Sequence, residues 1–178
     1  QLHQRLTQRL AMPSDAMPQA PHGVASAAPP DLESQMATLR RFRNEELLRI
    51  GLHDIAGQLP LEAVCEQLTM LADETLRQLF PLIFQDVARR YGTPRHANSS
   101  PAQLAIIGLG KLGGRELGYA SDLDLIFVFS DEGATDGARP IANGEFFSRL
   151  AQRLINFLGA EMADGRLYSV DTRLRPSG

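Results

Sequence analysis

Asp122 and Asp124 stand on either side of Leu123, at the head of the apolar run Leu123 to Phe129. In an extended strand successive side chains alternate between faces, so both carboxylates point one way while Leu123 and Leu125 point the other. Two carboxylates about 7 Å apart repel one another. A divalent cation between them removes that cost, and hard oxygen ligands suit Mg²⁺ or Mn²⁺. A third acid, Asp171, lies in the alternating segment Leu167 to Leu174, and Arg173 and Arg175 follow it on alternate residues. If that strand runs beside the first acidic one, three aspartates converge as a two-metal phosphoryl-transfer site requires. Asp-Leu-Asp by itself is as much at home at a solvated strand end. It is Asp171 and a nearby glycine turn that favour the chemical reading.

The glycine turn is Gly108-Leu109-Gly110-Lys111-Leu112-Gly113-Gly114. Glycines let backbone N–H groups approach phosphate oxygens without a Cβ in the way. Gly110, Gly113 and Gly114 are therefore candidate nucleotide-binding positions. Lys111, the only lysine among 18 basic residues, is a point charge for a phosphate or else a surface lysine in a turn. Ser121 either hydrogen-bonds a phosphate or caps the turn. Arg173 and Arg175 neutralise a triphosphate, or pair with Asp122 and Asp124 in a structural network. The same turn also spells GxGxxG after a strand, with Asp131 about twenty residues on, as in a dinucleotide-binding unit. That unit needs a crossover of about a dozen residues or more. Only Gly114 to Ser121 separate the turn from Asp122, with glycines at 114 and 118. The stretch is too short and too glycine-rich, and the paired aspartates would be left unexplained.

The elements that position these residues are legible in the periodicity. Leu2 to Leu10 could form a short helix, and Met12 to Pro30, rich in Pro, Ala, Ser and Gly, reads as a linker. Asp31 reads as the N-cap of a helix carrying Leu32, Met36, Leu39, Leu47 and Ile50 up to Gly51. Arg40, Arg41, Arg43 and Arg49 on it read as a solvated face paired with Glu45 and Glu46, the alternative being contact with a phosphate or a partner. A second helix starts near Leu61 after Pro60 and ends near Tyr91-Gly92, with Leu61, Val64, Leu68, Leu71, Thr75, Leu79, Ile83 and Val87 as its apolar stripe. Cys65 and Met70 belong to the same packing, and Pro81 should kink or split the helix. Leu104 to Ile107 suits a short buried strand, Ser130 to Asn143 a loop, and Gly144 to Gly159 a helix with Phe147, Leu150, Leu154 and Leu158 inward. The expected division is a linker over 1–30, a helical lead-in over 31–98 and an α/β core over 99–178.

Composition narrows the function classes. The 178 residues are 43% hydrophobic with a net charge of -3, enough for a sizeable core and the wrong sign for a general nucleic-acid binder. No apolar run approaches the ~20 residues of a membrane span, and the first residues do not form a signal peptide. One cysteine excludes an internal disulfide and favours a reducing, cytoplasmic setting. Scattered histidines and the lack of a CxxC pair argue against zinc. A glutamine at the start, and an end just after a strand, read as a piece of a longer chain truncated at its C-terminus.

Gly110-Lys111, ten residues, Asp122-Leu123-Asp124 and the later Asp171 resemble the polymerase-beta-type nucleotidyltransferase superfamily. Lys111 departs from that pattern, which usually has Ser or Gly there. Longer strings are more specific. Gly110 to Leu117, Ser121 to Phe127 and Val170 to Pro176 are similar to the glutamine synthetase adenylyltransferase family, as are Arg41 to Ile50, Arg90 to Pro94 and Glu145 to Phe157 in its helical parts. The resemblance covers about residues 32–178. It implies a polymerase-beta-like core with a small mixed sheet, preceded by a helical region. It also implies Mg²⁺ or Mn²⁺ held by Asp122, Asp124 and Asp171, with ATP as substrate. The implied partners are glutamine synthetase and the PII signalling protein, and neither nucleic acid nor membrane. Members carry two such domains, one attaching AMP to a tyrosine of glutamine synthetase and one removing it by phosphorolysis. Gly118 to Asp124 and Leu167 to Gly178 look more like the C-terminal, attaching domain. A removing domain, or an inactive fragment that binds nucleotide and metal, are the alternatives.

Overall fold

The computed structural model describes Gln4, residues 32–162 and residues 165–172. The expected linker, the Asp31 cap and the pair Arg173 and Arg175 lie outside the described residues. Two long helices come first, α1 (Leu32–Ile55) and α2 (Leu61–Tyr91). α1 runs past Gly51, the expected end, and stops where Gly57 adopts φ 65, with its N–H donating to the Asp54 carbonyl. One glycine inside a helix costs about 1 kcal/mol, and the buried contacts of Ile50 and Phe42 outweigh it. α2 begins at Leu61, as Pro60 before it predicts, and stays a single helix through the exposed Pro81.

The stripe on α2 packs inward except at its start. Val64, Leu68, Leu71, Leu79, Ile83 and Val87 are buried, whereas Leu61 is 72% and Met70 45% exposed. Leu61 sits in the first turn, ahead of the helix-helix contact, and Met70 falls off the inward face. The arginines of α1 form a solvated face only in part: Arg41 is exposed and Arg49 pairs with Glu46 as expected, while Arg40 and Arg43 pack against the protein. Arg40 is buried, Arg49 donates to Glu46 and to Gln67 of α2, and the Arg43 guanidinium lies 4.9 Å from the centre of the Tyr168 ring. Glu46 is itself only 1% exposed, so its pairing with Arg49 keeps a buried charge compensated.

The remaining elements are β1 (Pro94–Arg95), β2 (Leu104–Gly108), the single turn α3 (Gly110–Gly113), β3 (Leu123–Phe129), β4 (Ala134–Thr135), α4 (Asn143–Gly159) and β5 (Val170–Asp171). β1 and β4 pair antiparallel as a small ribbon, β4 lying inside the expected loop. The main sheet has the order β2-β3-β5, with β2 antiparallel and β5 parallel to β3. An antiparallel β2-β3 pair cannot be a dinucleotide-binding crossover unit, which joins parallel strands. β2 is also less buried than expected: Ile107 and, on β3, Val128 are 44% and 48% exposed. Only one face of this pair is covered, by Leu104, Ile106, Leu123 and Leu125 packing into the common core. α4 lays Phe146, Phe147, Leu150, Leu154 and Leu158 into that core. There Phe146 meets Phe84 of α2 at 5.5 Å, and Phe147 stacks on Phe129 at 5.4 Å.

Candidate active site

Asp122 stands immediately before β3, and Asp124 is the strand's second residue. Leu123 and Leu125 are 0% and 2% exposed, and their burial turns Asp122 and Asp124 to the open face of the sheet. β5 then enters parallel to β3, with Leu123 opposite Val170 and Asp124 opposite Asp171. Neighbouring strands are about 4.8 Å apart, so Asp171 stands beside Asp124 on the same face. The register is held by the Leu123 N–H donating to the Ser169 carbonyl at 2.9 Å.

The glycine turn closes on these acids from the β2 side. Leu109 N–H donates to the Asp124 carbonyl at 2.8 Å, and Gly110 has φ 52. A Cβ on Gly110 would collide with Asp124 Oδ2, and one on Gly113 would stand 2.6 Å from the Gly108 carbonyl oxygen. Both glycines are thus required by close approach. Gly114, at φ -78, is not under that constraint. Lys111 is exposed and without an ion-pair partner among the described residues. Ser121 caps the turn before β3: its Oγ accepts the Gly118 N–H at 3.0 Å.

The donor set suits a hard cation in its chemistry and its backbone placement. The side-chain carboxylates of Asp122 and Asp124 have no hydrogen-bond or ion-pair partner among the described residues, and Asp171 shares Asp124's register position. The three carboxylate heads do not stand as one closed cluster, since no group of three such ligands occurs among the described residues. A cation would therefore draw them together on a backbone that already sets them on one face.

Beside Asp122 opens a cleft of about 290 Å³, walled by Arg43, Tyr119, Ser121, Arg166 and Ser169. Tyr119 and Arg166 were not among the sequence candidates, and Arg43 entered only in the alternative reading of the α1 arginines as phosphate or partner contacts. Tyr119 Oη donates to Asp54 Oδ2 of α1 at 2.9 Å. Lost hydration, then this bond to a carboxylate, hold its phenol above the ordinary range. Tyr168, behind Arg43, is raised by burial, with the Arg43 charge opposing. Nothing local marks Arg43 as a site residue, because it reaches the acids only through the packing of α1. A larger depression of about 610 Å³ opens elsewhere, between α2 and the covered face of β2. Its rim charges Asp73 and Arg115 pair with each other at 3.8 Å, and none of the three aspartates lines it.

The chain matches, over residues 1–178, the family model described as glutamate-ammonia ligase adenylyltransferase. Similar curated proteins are named bifunctional glutamine synthetase adenylyltransferase/adenylyl-removing enzyme. The protein from Shewanella frigidimarina is 45% identical over 150 residues, 83% of this chain and 16% of the relative. That from Thioalkalivibrio sulfidiphilus is 46% identical over 154 residues, and that from Pseudomonas putida 45% over 152, with the same coverage. The chain thus spans 16% of the length of the curated relatives it matches. With a family model matched from end to end and identities of this size, the chain belongs to the glutamate-ammonia ligase adenylyltransferase family.

Proposed function

We propose that this chain carries the AMP-attaching site of its family, transferring AMP from ATP to a tyrosine of glutamine synthetase. The observation that carries the reading is the register of β3 and β5, which sets Asp171 beside Asp124 and across from the Gly110 turn. Asp122, Asp124 and Asp171 would hold Mg²⁺ or Mn²⁺. Such a cation, when bound, offsets charge on the α-phosphate and on the leaving oxygen. Gly110, Lys111, Gly113, Gly114 and Ser121 position the triphosphate, with Arg173 and Arg175 following Asp171 to neutralise it. The tyrosine oxygen forms a bond to the α-phosphorus, the bond from that phosphorus to the bridging oxygen breaks, and pyrophosphate leaves. Asp171 would help take up the proton of the tyrosine hydroxyl. In this reading the family's control by the PII protein acts on the chain in a cytoplasmic setting.

The test is to incubate the chain with glutamine synthetase, labelled ATP and Mg²⁺, beside a tube holding AMP-modified synthetase and phosphate. Label on tyrosine supports the attaching reading. ADP release in the second tube instead would make this the removing half. Asp122→Asn that keeps full transfer would sink the assignment of the acids.

A further inference from the structure

We infer that Arg43 and Arg166 form a clamp for the terminal phosphates of the nucleotide, in the cleft beside Asp122. The inference rests on the nucleotidyl-transfer reading and adds two residues to its site. Three observations carry it.

The first is placement. Arg43 of α1 and Arg166, in the segment before β5, wall the same cleft of about 290 Å³ with Asp122, and the hydroxyl residues Ser121 and Ser169 line it between them. Ser169 is followed by Val170, whose partner in the sheet is Leu123. The cleft is therefore continuous with the face that bears the acids.

The second is the state of the two guanidinium groups. Arg43 donates through Nη1 to Asn44 Oδ1 at 3.2 Å, and its Nε is shielded from water with no hydrogen-bond partner among the described residues. Contact with Tyr168, through its ring and its hydroxyl, holds the group in place and leaves that Nε unpaired. Arg166 donates through Nη1 to Ser169 Oγ at 3.1 Å, and its Nε lies 3.5 Å from the carboxylate of Glu161, a residue whose side chain is 72% exposed. An exposed pair of that kind contributes little and gives way to a doubly charged phosphate. The third is the shape of the ligand that fits. Guanidinium forks bind phosphate oxygens in pairs, and two of them lining one cleft together with two hydroxyls suit a pyrophosphate unit. A cation at Asp122 would offset the one negative charge that lines the cleft among the described residues.

The experiment measures binding of inorganic pyrophosphate, ATP and AMP to the 178-residue chain with Mg²⁺ by calorimetry. Arg166→Gln, at a half-exposed surface position, leaves the fold intact. Arg43→Lys keeps a positive charge at the end of a long stem but loses the fork. Each is expected to weaken pyrophosphate and ATP about tenfold, while AMP, which has no terminal phosphates, binds as before. Arg77→Gln, beside the other depression, is expected to change none of the three. Unchanged pyrophosphate affinity in Arg166→Gln and Arg43→Lys, in a chain that still transfers AMP, overturns the clamp alone. Loss of AMP binding in step with ATP also overturns it, because the residues would then serve the fold or the nucleoside. Arginine-dependent pyrophosphate binding without AMP transfer by the wild type would leave the clamp standing and overturn the attaching reading.

Discussion

At the scale of single residues, the glycines of the turn divide by what surrounds them. Gly110 has φ 52 and lies against Asp124 Oδ2. Gly110→Ala therefore combines a left-handed backbone, costing an ordinary residue about 1–2 kcal/mol, with a methyl group aimed at a carboxylate of the site. We expect a melting temperature several degrees lower and at least a hundredfold loss of AMP transfer. Gly114→Ala is the control. Its φ of -78 suits alanine, and the nearest atom to the new methyl group would be the Gly110 carbonyl oxygen at 3.3 Å. Stability should change by less than about 1 kcal/mol, and transfer should fall less than in Gly110→Ala, because the backbone of residue 114 can still meet a phosphate and the fit against Asp124 is kept. Parallel melting curves and label-incorporation assays on the two variants check this. Equal damage from both would mean that the turn works through backbone phosphate contacts along its length rather than through the fit of Asp124 against Gly110.

At the scale of elements, the ribbon β1-β4 is held at its end by one carboxylate. Asp136 Oδ1 accepts the Thr93 N–H at 2.7 Å and Oδ2 accepts Arg95 Nε at 2.8 Å. The bond to Arg95, then that from Thr93, holds the Asp136 carboxyl below its ordinary range. A depressed carboxyl stabilises the folded state above its unfolded pKa, near 4, and the contribution is lost as pH falls through the lower folded value. The Thr93 amide should thus exchange faster below about pH 4, and Asp136→Asn should exchange fast at neutral pH with a flatter profile. A Thr93 amide insensitive to both would disprove this latch. The ribbon also marks where reading by pattern ends. α2, α4 and β3 repeat a period over many residues, so their limits are visible in sequence. β1 and β4 are pairs of residues with no period, brought together by contacts across about forty residues of chain, such as Arg95 with Asp136. The three aspartates were legible because strand alternation and the placement of Asp171 require only one assumption, that β5 lies beside β3. Arg43 was legible only as one of two readings, a solvated face or a phosphate contact, and Arg166 not at all, since a guanidinium looks the same in sequence whether it meets solvent, a carboxylate or a cleft. α4 offers a plainer check of the pattern. Phe146 is fully buried between Phe84 and Phe147, and Phe146→Ala should cost about 3–5 kcal/mol by denaturant melts.

At the scale of the whole molecule, the helical lead-in and the acid-bearing sheet are coupled through side chains as well as through the chain. Tyr119, in the turn before Asp122, is bonded to Asp54 of α1. Arg115, after the glycine turn, lies 3.5 Å from Glu66 of α2, and Phe84 of α2 packs on Phe146 of α4. The buried residues of α1, α2, α4 and the sheet form one cluster. We therefore expect residues 32–171 to unfold as one cooperative unit, with the division near residue 98 marking a change of architecture and not of stability. The test lies in amide exchange. The Leu123 N–H, held by the Ser169 carbonyl beside the acids, reports on the site, and the amide of Ile83 reports on α2. Leu79, 0% exposed in the middle of α2, is far in sequence from every acid. Leu79→Ala should cost about 2–5 kcal/mol, and in one unit that loss lowers the protection of both amides equally. Were the sheet an independent domain, Ile83 would lose protection and Leu123 would keep it. Equal loss would also account for a site whose clamp residue sits on α1: the helix that positions Arg43 and the strand that positions Asp122 would then form and open together.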